Sequence, residues 1–120
     1  MKIVLLEDDA LVARALTRVL RSLGYEILIA QRIADAQGHL RANTDVRLAI
    51  SDLGLKDNES GLDFLRWVET EHPETGRVLL TGLTQPVGFE HDPPRQAFLN
   101  KPFNTDRLKL LIEEMTKAGP

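Results

Sequence analysis

A chain of 120 residues, 42% hydrophobic and 28% charged, has the size and balance of one ordinary globular domain around a single core. Its 15 basic and 18 acidic residues leave a net charge of −3, and no basic stripe provides a footprint for non-specific nucleic-acid binding. The absence of cysteine excludes disulfides, thiolate metal sites and cysteine nucleophiles.

Short apolar runs alternate with stretches of helical period. Residues 2–7, "KIVLLE", lack the polar alternation of a half-exposed strand and read as a buried one. Residues 9–24 predict a helix with Leu11, Val12, Ala15, Leu16, Val19, Leu20 and Leu23 on its apolar face and Gly24 as its stop. A second strand follows at 25–30, then a weaker helix at 32–43 that Gly38 interrupts. The third strand is 46–51, and Leu62, Leu65 and Val68 mark a helix over 61–73, closed by Pro73. Strands at 77–81 and 97–100 precede a last helix at 105–118, with Thr105 as candidate cap and an apolar stripe of Leu108, Leu111, Ile112 and Met115. Between residues 81 and 97 the sequence "GLTQPVGFEHDPPRQ" carries three prolines and no amphipathic period, so a loop or a single turn is expected. Strands separated by helices imply right-handed crossovers and a parallel sheet covered on both faces. No stretch reads as a signal peptide or a spanning helix, which makes the cytoplasm the default location.

Open α/β sheets bind ligands beyond the carboxyl ends of their strands. Those ends carry Glu7, Asp8 and Asp9 after the first strand, Asp52 after the third, Thr81 after the fourth and Lys101 after the fifth. Clustered carboxylates repel unless a cation joins them, and an all-oxygen donor set favours a hard ion such as Mg²⁺. Lys101, being charged, would instead meet an anion, either a carboxylate or a phosphoryl oxygen. Each residue also has a plainer reading. Asp8 or Asp9 can cap the first helix, Asp52 can end a strand at a turn, Thr81 is an ordinary strand former and Lys101 can sit in a surface turn. The conjunction of all of them at one sheet edge favours a site.

The segments "IVLLEDD", "AISDLGL", "VLLTG" and "FLNKPF", in that order, resemble the receiver (CheY-like) domain of two-component response regulators over essentially the whole chain. The resemblance implies one receiver domain over 1–120. Its fold would be flavodoxin-like: a doubly wound five-stranded parallel sheet of order 2-1-3-4-5, here with the fourth helix short or replaced by a loop. It implies that Asp52 accepts a phosphoryl group from the phosphohistidine of a histidine kinase or histidine phosphotransfer protein, switching partner binding. Mg²⁺ would be bound by Asp8, by Glu7 through a water, by Asp52 and by the main-chain carbonyl of Gly54, leaving Asp9 as helix cap. Thr81, the Gly82 N–H and Lys101 would bind phosphoryl oxygens, Phe98 would follow Thr81 inward, and the Lys101–Pro102 bond would be cis. A receiver takes part in its own phosphorylation and dephosphorylation without being an enzyme. No direct nucleic-acid or membrane partner is implied, and a monomer or weak dimer is expected.

Three departures from the family pattern stand out. Lys56 replaces a proline and Gly61 comes one residue late, so the loop after Asp52 should be more polar and more mobile. Gly54 and Leu83 occupy the positions that set phosphoryl lifetime. The missing fourth helix puts ordinary dimerisation in doubt, and His91 in its place reads as solvated. With no output domain visible, the chain would be a stand-alone receiver or part of a longer regulator. The competing readings are a Mg²⁺-dependent aspartyl-phosphate phosphohydrolase, disfavoured because Gly54 stands where its second acid would be, and a phosphorylation-independent binding module.

Overall fold

A computed structural model describes residues 1–84 and 86–116. The uninterrupted apolar runs become β1 (Lys2–Leu6), β2 (Glu26–Ala30), β3 (Val46–Asp52), β4 (Gly76–Thr81) and β5 (Gln96–Asn100). The amphipathic stretches become α1 (Ala10–Ser22), α2 (Ile33–Ala42), α3 (Gly61–Glu71) and α4 (Thr105–Thr116). All strand pairs are parallel, and the sheet order is β2-β1-β3-β4-β5. This is the flavodoxin-like order expected, and its direction reverses at β1 and β3. Residues 117–118, assigned to the last helix from sequence, lie outside the described residues. Among the described residues no helix is long and apolar enough to cross a membrane.

Alternating strand residues feed two apolar layers. Ile3, Leu5, Leu48, Ile50, Val78, Leu80, Ala97 and Leu99 meet α1 and α4, whereas Val4, Leu6, Ala49 and Leu79 meet α2 and α3. Burial on both faces explains why the strands read as continuous apolar runs.

Two details of the helix reading are corrected. In α1 the buried residues are Ala13, Leu16, Thr17 and Leu20, while Leu11 and Val12 are exposed. Ala13, Leu16, Thr17 and Leu20 keep the i, i+3, i+4, i+7 spacing of one face, which Leu11 and Val12 do not share with them. The cap of α4 is Asn104, whose Oδ1 accepts from the Arg107 N–H at 2.8 Å, and Thr105 is already helical. An Asn carbonyl reaches an unpaired first-turn N–H as well as a hydroxyl does.

No helix links β4 to β5 among the described residues of segment 82–95. Phe89 from this segment is buried in the α2/α3 layer. A polar network does the rest. Arg77, 2% exposed, donates through Nη2 to Gln96 Oε1 at 2.8 Å and lies 3.5 Å from Glu69. Gln96 Nε2 donates in turn to the Glu90 carbonyl at 2.8 Å, tying the segment to the sheet. Arg95 adds contacts to Glu69 and Asp92. Burial pushes the Arg77 guanidinium down from its usual value, with the Glu69 charge opposing.

Candidate acidic site at the strand ends

Glu7 follows β1 and stays aligned with the sheet through its N–H, which donates to the Ala30 carbonyl at 2.9 Å. Its side chain is 2% exposed. Oε2 accepts from the Asp9 N–H at 3.1 Å, while Oε1 is buried without a hydrogen-bond partner. Burial pushes the Glu7 carboxyl up from its ordinary value and the Asp52 charge adds to this, whereas the Asp9 N–H and Lys101 act against it.

Asp9 is the cap of α1, its Oδ1 accepting from the Leu11 and Val12 N–H groups at 2.9 and 3.2 Å. That leaves Glu7, Asp8 and Asp52, each offering a carboxylate oxygen within 4.8 Å of the others. Lys101 bonds Asp52 Oδ1 through its ammonium. One cation among three carboxylates leaves the pocket short of positive charge. The orphaned Glu7 oxygen and the all-oxygen donor set fit a hard divalent cation such as Mg²⁺.

The frame around Asp52 is tight. Asp52 ends β3 opposite Leu80, and the next N–H, of Leu53, donates to the Leu80 carbonyl at 2.9 Å. The Gly61 N–H donates to the Leu53 carbonyl at 2.8 Å. A Cβ at Gly61 would collide with the Asp52 carbonyl and Ser51 Oγ, so only glycine lets α3 approach β3 here. Thr81, 1% exposed, ends β4. Its Oγ1 accepts from the Leu83 N–H at 3.0 Å, and its carbonyl accepts from the Lys101 N–H at 2.8 Å. Gly82 is exposed beside it. The Lys101–Pro102 peptide is cis.

Phe98, on β5, is half-buried in the α2/α3 layer. His91 is exposed yet not simply solvated. Its Nδ1 accepts from the Phe98 N–H at 3.3 Å, and its ring meets the Phe98 ring edge-on with centroids 5.2 Å apart.

The loop after Asp52 is polar, as expected, but its backbone is organised rather than open. Gly54 pairs antiparallel with Ser60, the Leu55 N–H donates to the Glu59 carbonyl, and the Glu59 N–H donates to the Lys56 carbonyl. Asp57 and Asn58 both have φ of 60°, the left-handed values that a type I′ hairpin turn demands. The bonds flanking Gly54 make it a non-hydrogen-bonded pair with Ser60, so its carbonyl turns outward from the hairpin. At Lys56 the N–H donates to Asp8 Oδ2 at 2.6 Å. A proline there would have no such donor, so the replacement that looked like a loosening provides a tether. Sequence reasoning passed over Glu59 and Arg32, which hold this hairpin from the α2 side. The two acids of "DNES", Asp57 and Glu59, gave no local sign of which one reaches across.

A family model described as the response regulator receiver domain matches residues 3–113. No curated protein matches the chain. Similar solved structures include a response regulator receiver protein from Sinorhizobium medicae, at TM-score 0.85 and 18% identity, covering 98% of this chain and 95% of that one. The receiver domain of the hybrid histidine kinase CckA matches at TM-score 0.79 and 22% identity, covering 96% and 98%. A mutant of the anti-anti-sigma factor PhyR from Bartonella quintana matches at TM-score 0.80 and 26% identity. There the match covers 95% of this chain but 47% of that protein, so this chain spans about half its length. The family model runs from β1 into α4, over the same strand ends that gather Glu7, Asp8, Asp52, Thr81 and Lys101, and the chain belongs to the response regulator receiver domain family.

Proposed function

We propose that the protein is a phosphoacceptor signalling domain in which Asp52 takes a phosphoryl group from a phosphohistidine. The donor would be a histidine kinase or a histidine phosphotransfer protein. The observation that carries this reading is the ion pair of Lys101 with Asp52 beside the unpartnered, buried oxygen of Glu7. It supports the reading because the Asp52 carboxylate, 15% exposed, lies between the Lys101 ammonium and a cation-deficient acidic pocket. Glu7, Asp8, Asp52 and the Gly54 carbonyl are the groups that would hold Mg²⁺, which when bound supplies charge neutralisation for the phosphoryl oxygens.

In the transfer, an Asp52 carboxylate oxygen forms a bond to phosphorus as the P–N bond breaks. The imidazole nitrogen leaves with the bonding pair, and a proton carried on the other ring nitrogen of the phosphohistidine makes the leaving group neutral imidazole rather than imidazolate. The transition state is loose, so alignment and charge matter more than covalent assistance. Lys101 already bonds one Asp52 oxygen and would follow the charge onto the phosphoryl group. The Thr81 hydroxyl accepts from Leu83 and, among the described residues, donates to no acceptor. Its proton is therefore available to a phosphoryl oxygen. Phosphorylation replaces about one negative charge by about two and adds acceptors. Drawing Thr81 inward would vacate space toward Phe98, which pairs with Leu79 two residues earlier on the neighbouring strand, and would shift the His91 ring that packs on Phe98. The chain would act as a stoichiometric acceptor rather than a turnover enzyme.

Incubation with Mg²⁺ and acetyl phosphate, followed by intact mass, tests this directly. Wild type should gain one phosphoryl group and Asp52→Asn none. Equal gain by the two proteins, or none by wild type, would sink the assignment.

A further inference from the structure

Helix α2 starts without a cap of its own. Arg32 occupies the capping position and makes no side-chain bond to the first turn, because a guanidinium cannot accept one. The Ile33 N–H donates instead to Glu59 Oε1 at 2.9 Å, from hairpin 54–60. The second Glu59 oxygen is 3.8 Å from Arg32 Nη2, and Arg32 Nη1 is 3.2 Å from Asp57 Oδ2. On its opposite side the same hairpin donates the Lys56 N–H to Asp8. It is thus pinned between a helix N-terminus and a carboxylate of the acidic pocket.

The two halves of the α2 contact differ in weight. Arg32 and Asp57 are 59% and 68% exposed, and such pairs contribute little. Glu59 is 22% exposed and directs its charge at the positive end of a helix, where a charge-assisted hydrogen bond is strong. From this we infer that Glu59 is a positioning residue for the divalent cation, holding the hairpin so that the Gly54 carbonyl and the Asp8 carboxylate keep a fixed relation. Arg32 supports it. The inference rests on the Mg²⁺ reading above and adds to it a residue that touches neither the ion nor the phosphoryl group.

Calorimetric titration with Mg²⁺ of wild type, Glu59→Ala, Glu59→Gln and Asp8→Asn tests it. Glu59→Ala should bind about tenfold more weakly, the lower end of losses on removing a group that orients a metal ligand. Glu59→Gln keeps the acceptor for Ile33 and should recover most of the affinity. Amide exchange at Lys56 should quicken in Glu59→Ala. A merely structural Glu59 would lower the melting temperature and leave the titration within twofold of wild type, which overturns the inference. Should Glu59→Ala fail to fold, Glu59→Asp takes its place: its shorter side chain falls short of the Ile33 N–H, binding severalfold weaker is expected, and an affinity within twofold of wild type overturns the inference equally. If Asp8→Asn loses binding while Glu59→Ala keeps it, the positioning role alone falls. If Asp8→Asn binds as tightly as wild type, the metal reading falls and takes this inference with it.

Discussion

Asp52 owes its aim to neighbours that have no chemistry. The Leu53 N–H holds the strand end to β4, and Gly61 brings the start of α3 against the Asp52 carbonyl, closer than any side chain allows. Gly61→Ala should therefore cost at least about 3 kcal/mol, the upper end for overpacked sites. It should also displace Asp52 and lower the rate of acetyl phosphate labelling. Urea denaturation and intact mass check both effects; labelling at the wild-type rate would show that the close approach does not position the nucleophile. Asp8 and Asp9 show how one residue changes a reading. Adjacent in sequence, they separate in space because Asp9 turns back onto the α1 amides and Asp8 turns to the pocket.

At the scale of elements, segment 82–95 covers part of the sheet where a helix would otherwise pack. Apolar cover comes from Phe89, and polar support comes from the Arg77–Gln96–Glu90 chain. Truncating Gln96 leaves the buried Arg77 guanidinium without its closest acceptor, a loss worth about 2–3 kcal/mol for a charged donor. Gln96→Ala should thus lower the urea midpoint more than Arg77→Met, which removes the charge and keeps an apolar chain of similar length. The reverse order would show that the network is not what supports the segment. Prolines 86, 93 and 94 made the absence of the helix legible from sequence. The network replacing it was not legible, since Arg77 and Gln96 become neighbours only through the β4–β5 register.

At the scale of the whole molecule, the acidic pocket opposes folding until a cation joins it. Burial raises the Glu7 carboxyl above its ordinary value near 4.5, so the folded chain holds this proton more tightly than the unfolded one. Between the unfolded and the raised folded value, stability falls as pH rises, and the full cost persists above it. In metal-free buffer, wild type should therefore lose stability relative to Glu7→Gln on going from about pH 4 to about pH 7.5. Mg²⁺ should raise the wild-type melting temperature more at the higher pH, because it binds the ionised form. Thermal melts of both proteins across that range decide the matter: parallel curves, or Mg²⁺ stabilisation independent of pH, would contradict the account.

By itself, the sequence determined the strand and helix succession, the doubly wound class, the missing helix and the residues at the strand ends. These follow from apolar periodicity, proline content and chain order, which are local properties. Only the tertiary structure decided that Asn104 rather than Thr105 caps α4 and that Leu11 and Val12 face outward. It also turned the loop of Lys56 into a hairpin held by Glu59 and Asp8. Those outcomes depend on contacts such as Glu59 with Ile33 and Lys56 with Asp8, between groups far apart in the chain. No local pattern encodes such partners, because packing the whole sheet is what brings them within hydrogen-bond reach.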